Sequence, residues 1–255
     1  MNVIQVKDVS KKYIVTSGII RRRKKEVVAL SNVSFDIQKG EIFCPIGPNG
    51  AGKTTLIKLL STLALPNTGQ IIIDNYSIIK EPEKIRKKIG VLYGGERGLY
   101  WRISARDNLL YFGNLYEIPF KELKHRIDNL LDLVGMTERQ HDKIETFSKG
   151  MKQRIHLARC LLHNPEIIFL DEPTLGLDVE ASRSIRELIK NLKNSGKTIV
   201  LTSHYMNEIE ELADRIALMD KGTIREINTV QNFKQKANKM NLEDAYLSVL
   251  KNKDI

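Results

Sequence analysis

The chain is expected to be an α/β protein with a parallel sheet covered by helices on both faces. Three observations predict this. After Pro165, short apolar runs alternate with helical patterns. Glu166 to Leu170, Thr198 to Thr202 and Arg215 to Met219 read as strands. Ile185, Leu188, Ile189 and Leu192 mark one helix, closed by Gly196, and Met206 to Ala213 mark another. Second, Gly47-Pro48-Asn49-Gly50-Ala51-Gly52-Lys53-Thr54 matches the phosphate-binding pattern G-x-x-x-x-G-K-[ST] at every fixed position. Third, the flanks fit this loop: Glu41-Ile42-Phe43 reads as a buried strand entering it, and Thr55 to Leu60 as a helix leaving it.

The remaining elements follow in order. Val3 to Val9 alternates, Val27 to Ile37 has similar β character, and with Gln70 to Asp74 they suggest a small sheet built around the loop. Pro45 lacks an N–H for a ladder, so either the strand stops at Cys44 or position 45 had no partner to lose. Ser104 to Tyr116 reads as a helix, with Asp107 placed to help cap behind Ser104. Leu123, Ile127, Leu130, Leu131 and Val134 recur at helical spacing until Gly135, and Met151 to Leu162 forms a further helix. The block from about 98 to 155 is therefore mainly helical and interrupts the sheet. From Arg225 onward the sequence is polar with scattered apolar positions and shows no clear pattern.

At 255 residues the chain is long enough for a substantial core, and 42% hydrophobic with 28% charged residues suits a soluble globular protein. No apolar run approaches the roughly 18 residues of a membrane span. The start alternates like a strand and has no signal-peptide shape, so a cytosolic protein with at most peripheral membrane contact is expected. The formal net charge of +10 favours an anionic partner. The basic run Arg21-Arg22-Arg23-Lys24-Lys25 reads as a solvated loop between strands, with contact to lipid headgroups or nucleic acid as the other readings. Cys44 and Cys160 read as reduced core cysteines.

The loop residues define a chemistry. Glycines let the backbone approach a polyphosphate closely, and the converging N–H groups and the helix N-terminus favour the anion. Lys53 adds a point charge near the β and γ phosphates, and the Thr54 hydroxyl suits Mg²⁺. In Ile167-Ile168-Phe169-Leu170-Asp171-Glu172, four apolar residues put Asp171 at the carboxyl end of a buried strand, where α/β sheets bind ligands. Asp171 is expected to serve Mg²⁺ directly or through water. Glu172 is placed to hold and polarise an attacking water as general base.

With these residues the chain resembles the ATP-binding cassette of ABC transporters over about residues 1 to 222. Leu170 to Thr174 with Gly176-Leu177-Asp178 resembles the Walker B motif and D-loop; Phe147-Ser148-Lys149-Gly150-Met151-Lys152-Gln153-Arg154 resembles the signature; Thr202-Ser203-His204 resembles the H-loop. The resemblance implies a P-loop NTPase, RecA-like core (about 1–97 and 156–222) that includes an antiparallel β subdomain. It also implies an inserted helical subdomain (about 98–155) and a tail (about 223–255), all within one cassette. It implies that Gly47, Pro48, Asn49, Gly50, Ala51, Gly52, Lys53, Thr54 and Thr55 bind ATP, and that Ser148, Gly150 and Asp178 serve the nucleotide across a dimer of cassettes. His204 would contact the γ-phosphate and hold Glu172 and the water. Tyr13 falls where the family places an aromatic that stacks on adenine; packing in the core is its other reading. His125, His141, His156 and His163 lack comparable context and read as structural or exposed.

Lys149 and Met151 depart from the family's Gly and Gln, and neither change removes the signature serine or its second glycine. The family's Q-loop glutamine is missing: the equivalent segment is Gly94-Gly95-Glu96-Arg97-Gly98. Either Glu96 supplies an oxygen to Mg²⁺, or water fills that place and Glu96 pairs with Arg97. Beyond it, Leu99-Tyr100-Trp101-Arg102-Ile103-Ser104 suits an interface with a short helix of a membrane subunit, with packing in the helical subdomain as the alternative. The reading is an ATP-hydrolysing subunit that powers a separate transmembrane permease from the cytoplasmic face of the membrane. It would pair with a second cassette, the same chain or a related one. Its direction is expected to be export of a drug, peptide or cell-surface glycan. A non-transport ATPase of the same class, acting on nucleic acid or ribosomes, is the main alternative. It is disfavoured because the chain carries a single cassette and no basic-aromatic platform for bases. A nucleotide switch without turnover is disfavoured by Glu172 and His204.

Overall fold

The structure, a computed structural model, describes residues 1–17, 23–93 and 98–251. The chain divides into two compact units, Met1–Arg86 with Val200–Ile255, and Lys87–Ile199. In the first unit, strands β1 (Asn2–Ser17), β2 (Arg23–Gln38) and β3 (Ile42–Ile46) precede helix α1 (Lys53–Leu60), and β4 (Thr68–Ile73), β5 (Tyr76–Ser77) and α2 (Pro82–Arg86) follow. The second unit contains β6 (Ile89–Leu92), α3 (Ala105–Leu115), α4 (Phe120–Leu133), α5 (Lys149–Leu161), β7 (Ile167–Asp171) and α6 (Val179–Asn194). Strand β8 (Thr198–Thr202) carries the chain back to the first unit. That unit ends with α7 (Met206–Leu212), β9 (Arg215–Asp220), β10 (Thr223–Thr229), α8 (Val230–Lys236) and α9 (Leu242–Lys251).

The first unit holds the expected small antiparallel sheet, in the order β2-β1-β4-β5. The β1–β2 hairpin is longer than the sequence pattern indicated: pairing continues from Asn2↔Gln38 out to Ser17↔Arg23. Arg23, Lys24 and Lys25 therefore belong to β2 rather than to a loop, because the strand partners Ser17, Thr16 and Val15 extend the ladder opposite them. Arg21 and Arg22 lie outside the described residues. Strand β3 pairs in parallel with β9, and Pro45 stands opposite Ala217, so the strand does not stop at Cys44. Every residue of β3 is buried, as a strand covered on both faces requires. Phe35 of β2 stacks on Phe43 of β3 with ring centroids 5.3 Å apart, which joins the hairpin to the core. The β9 end is pinned by a 2.8 Å bond from the Ile42 N–H to Asp214 and by the Arg215–Glu41 ion pair at 2.9 Å.

In the second unit β6 and β7 are parallel, register Ile89↔Ile167, and helices α3, α4 and α5 lie between them in sequence. Helix α3 begins as expected: Ser104 accepts the Asp107 N–H at 3.0 Å while its own hydroxyl donates to the Asp107 carboxylate at 2.6 Å. Helix α4 turns Leu123, Ile127, Leu130 and Leu131 inward. Gly135 follows it with φ of +64°, a conformation that favours glycine. Cys44 and Cys160 are both buried free thiols. Burial raises both, that of Cys160 to about 12, so neither forms a thiolate readily. His163 stacks on Tyr116 at 4.2 Å with its Nε2 2.8 Å from the Ile89 carbonyl oxygen, and His156 is buried, so both are structural.

Residues 226–251 form regular elements joined by short turns. β10 pairs with β9, and α8 and α9 bury Val230, Phe233, Leu242 and Ala245. Among the described residues no helix is long and apolar enough to cross a membrane.

Candidate nucleotide site

The phosphate loop runs from the end of β3 to the start of α1. Gly52 occupies the N-cap with φ of +104°, and a Cβ there would lie 2.6 Å from the Ala29 carbonyl oxygen, so the position demands glycine twice over. A side chain at Gly47 would run into the Met219 carbonyl oxygen. The loop is thus seated between β2 and the end of β9, and the Ala51 carbonyl oxygen accepts the Gly222 N–H at 3.1 Å. Lys53 is 8% exposed, and its ammonium donates to the carbonyl oxygens of Gly47 at 2.6 Å and Pro48 at 3.1 Å. The loop curls around the lysine, so a cation already stands in a ring of backbone groups. Pro48, Asn49 and Gly50 are exposed at the rim, as is Thr54 in the first turn of α1, with Thr55 half-buried beside it. No acidic residue occupies that turn to oppose an anion.

Two more predicted residues lie in this unit. Tyr13 is half-buried on β1 opposite Val27, with the Lys11 ammonium 5.1 Å from its ring centroid. His204 is exposed just after β8, between the buried Ser203 and the N-cap of α7, Tyr205.

The second unit carries the signature and the carboxylates. Ser148 is the N-cap of α5 and accepts the Met151 N–H at 3.2 Å, which leaves its O–H to donate. The first turn of α5 has no acid, and Lys149 adds a cation, so this helix end is strongly positive. A Cβ at Gly150 would lie 2.9 Å from that of Ala181, and one at Gly176 would collide with the Lys149 ammonium. The signature therefore packs against the segment that follows Glu172. Asp171 ends β7 and is 8% exposed. Glu172 follows it with φ of +53°, a left-handed conformation that costs about 1–3 kcal/mol for a residue with a Cβ. Such strain is held only where surrounding structure fixes it, and it aims this carboxylate differently from a continuing strand. Asp178 caps α6, accepting the Ala181 N–H at 2.8 Å.

The sequence reading missed Gln153. Its Nε2 donates to the Pro173 carbonyl oxygen at 2.7 Å and ties α5 to the turn beyond Glu172. No motif pattern marks this bond. Glu96, with Gly94, Gly95 and Arg97, lies outside the described residues.

A phosphate loop between a buried strand and a helix, with paired carboxylates at the end of a second buried strand, defines a P-loop ATPase. A family model described as ABC transporter matches residues 30–175, more than half of the chain, and the chain belongs to that family. It is 43% identical over 202 residues to the ABC transporter ATP-binding protein NatA of Bacillus subtilis, covering 79% of this chain and 82% of NatA. It is 44% identical over 206 residues to the linearmycin resistance ATP-binding protein LnrL of the same organism, covering 81% of this chain and 65% of LnrL. The fold superposes with a TM-score of 0.77 and 28% identity on a dimeric post-hydrolysis state of the ATP-binding cassette MJ0796 bound to ADP and Pi, covering 89% of this chain and 98% of that one. The protein is the ATP-binding, ATP-hydrolysing subunit of an ABC transporter.

Proposed function

We propose that this subunit works as a pair of cassettes on the cytoplasmic face of the membrane and powers a separate permease that exports its cargo. The single observation that carries the assignment of turnover is Glu172, held at φ of +53° directly after the buried Asp171. In this reading Lys53 and the loop N–H groups grip the β and γ phosphates. Glu172 takes a proton from the attacking water, and His204 orients that water and the γ-phosphate. Phosphoryl transfer asks mainly for positioning and charge neutralisation, which these groups provide. Thr54 and Asp171 are hard oxygen donors of the kind Mg²⁺ selects, and the ion when bound would neutralise phosphate charge.

A second cassette is supported by exposed groups around the signature. Ser148 and Lys149 are exposed, and so are Leu175 and Val179, the latter 85% exposed on either side of the D-loop. Apolar side chains left bare beside an anion-binding helix end suit a surface that closes on a partner. The positive end of α5 would then meet the γ-phosphate held by the partner's loop, with Asp178 nearby.

The permease is supported by a groove of about 370 Å³ lined by Tyr100, Trp101, Arg102, Ile103 and Tyr111. Tyr100 and Trp101 are each half exposed, and Tyr100 packs edge-on against Tyr111 at 4.8 Å. Aromatics beside arginine are the usual anchors of a helix-in-groove contact. Export follows the similarity to LnrL, whose name records linearmycin resistance; a drug, peptide or cell-surface glycan is the expected class of cargo. The test is to isolate Glu172→Gln from gently solubilised membranes of the source cell. A stoichiometric multi-span protein supports the transporter reading. Recovery only in the soluble fraction with nucleic acid or ribosomes would overturn it.

A further inference from the structure

We propose that Glu208 is a positioning residue for His204, acting through the hydroxyl of Ser203. This rests on the reading of His204 as the residue that orients water and γ-phosphate.

His204 is exposed on a short turn, and a histidine side chain has several staggered positions open to it. Reaction demands that it be held in one. The two residues on either side of it are fixed by one oxygen atom. Ser203 Oγ donates to Glu208 Oε2 at 2.9 Å and accepts the Tyr205 N–H at 3.0 Å. The backbone before and after His204 therefore hangs on the same hydroxyl, while the imidazole projects outward. Ser203 and Glu208 are each 4% exposed, so the bond is shielded from competing water.

The anchor is itself held. Glu208 sits in the first turn of α7, where the helix end favours a carboxylate. The N-cap residue Tyr205 makes no side-chain cap, so the Ser203–Glu208 bond organises this helix start. A seven-residue helix is marginal alone. On α7, Glu210 accepts from the Lys234 ammonium at 2.6 Å and from the Leu242 N–H at 2.8 Å, which clamps the helix to α8 and α9. Order thus passes from the terminal helices to α7, then through Glu208 and Ser203 to the turn that carries His204.

The experiment is single-turnover phosphate release with ATP affinity measured in parallel, on Glu208→Ala, Glu208→Gln, Ser203→Ala and His204→Ala, and on Glu208→Ala combined with His204→Ala. Glu208→Ala and Ser203→Ala should each lower the hydrolysis rate by about 10- to 100-fold with little change in ATP affinity. Glu208→Gln keeps an acceptor for the Ser203 hydroxyl and should recover most of the rate. In the His204→Ala background, Glu208→Ala should have no further effect. An unchanged rate in Glu208→Ala, no recovery in Glu208→Gln, or an equal loss in the His204→Ala background would overturn the proposal while leaving His204 in place. A wild-type rate in His204→Ala would instead overturn the underlying reading of the H-loop, and the positioning role with it.

Discussion

The side-chain amide of Gln153 donates to the carbonyl oxygen of Pro173 at 2.7 Å, joining the signature helix to the turn just beyond Glu172. Because Gln153 lies on the second turn of α5, any tilt of that helix pulls on the backbone next to Glu172, the proposed base. Gln153→Ala should cost about 1 kcal/mol of stability, the net worth of one such bond. It should lower the rate of hydrolysis several-fold while ATP affinity stays at the wild-type level. Equal losses in rate and affinity would show that the bond does not act on Glu172.

Glu172→Gln preserves the size of the side chain and removes the proposed base. Hydrolysis should fall by at least about 10²-fold, the scale of lost general-base catalysis, with ATP still bound. With ATP present the variant should run as a stable dimer on size exclusion, because the nucleotides that hold it are not consumed.

Asp178 contributes to stability through its cap on α6 as well as to the D-loop. Asp178→Ala should destabilise the fold by about 0.5–2 kcal/mol in urea unfolding. Asp178→Asn keeps an oxygen for the Ala181 N–H and should restore most of that loss. Any defect in hydrolysis that persists in the Asn variant then reports the charge rather than the cap.

His163 gives the fold an acid sensitivity. Burial lowers its pKa from the usual value of 6.5, the bond to the Ile89 carbonyl oxygen opposes this, and Arg126 and Lys197 push it down further. A depressed histidine pKa means that the neutral ring is favoured in the fold. The stabilisation is full above the unfolded value near 6.5 and is lost as pH falls through the lower folded value. His163→Phe keeps a ring on Tyr116 and cannot ionise. The difference in urea midpoint between His163→Phe and wild type should therefore shift in favour of the variant on acidification. A difference that does not change with pH would remove the assignment.

The structure shows where the reading of the sequence stopped. Helix α4 was legible because its apolar residues recur on one face, and the end at Gly135 because glycine tolerates a positive φ. Residues 23–25 were read as loop because five cations in a row suggest solvent. A ladder needs only backbone partners, however, and β1 supplies them out to Ser17. The terminal elements were illegible for a different reason. Helices α8 and α9 are short, and each buries only a few side chains, among them Phe233, Leu242 and Ala245. So few apolar positions set no period, and polar contacts such as Lys234 to Glu210 hold the rest.

By itself, the sequence named the candidate groups: Lys53 in the phosphate loop, Glu172 after Asp171, and Ser148 at the start of the signature helix. These are local patterns, in which a fixed spacing along the chain dictates geometry within one turn or one strand end. Only the tertiary structure decided how those groups are held. The contacts of Gln153 with Pro173, Gly52 with Ala29, and Lys234 with Glu210 join residues 20 or more positions apart. The Ser203–Glu208 bond spans only five positions, yet its worth comes from the burial that shields it. Burial and long-range proximity are properties of the packed chain, and no spacing rule in the sequence carries them.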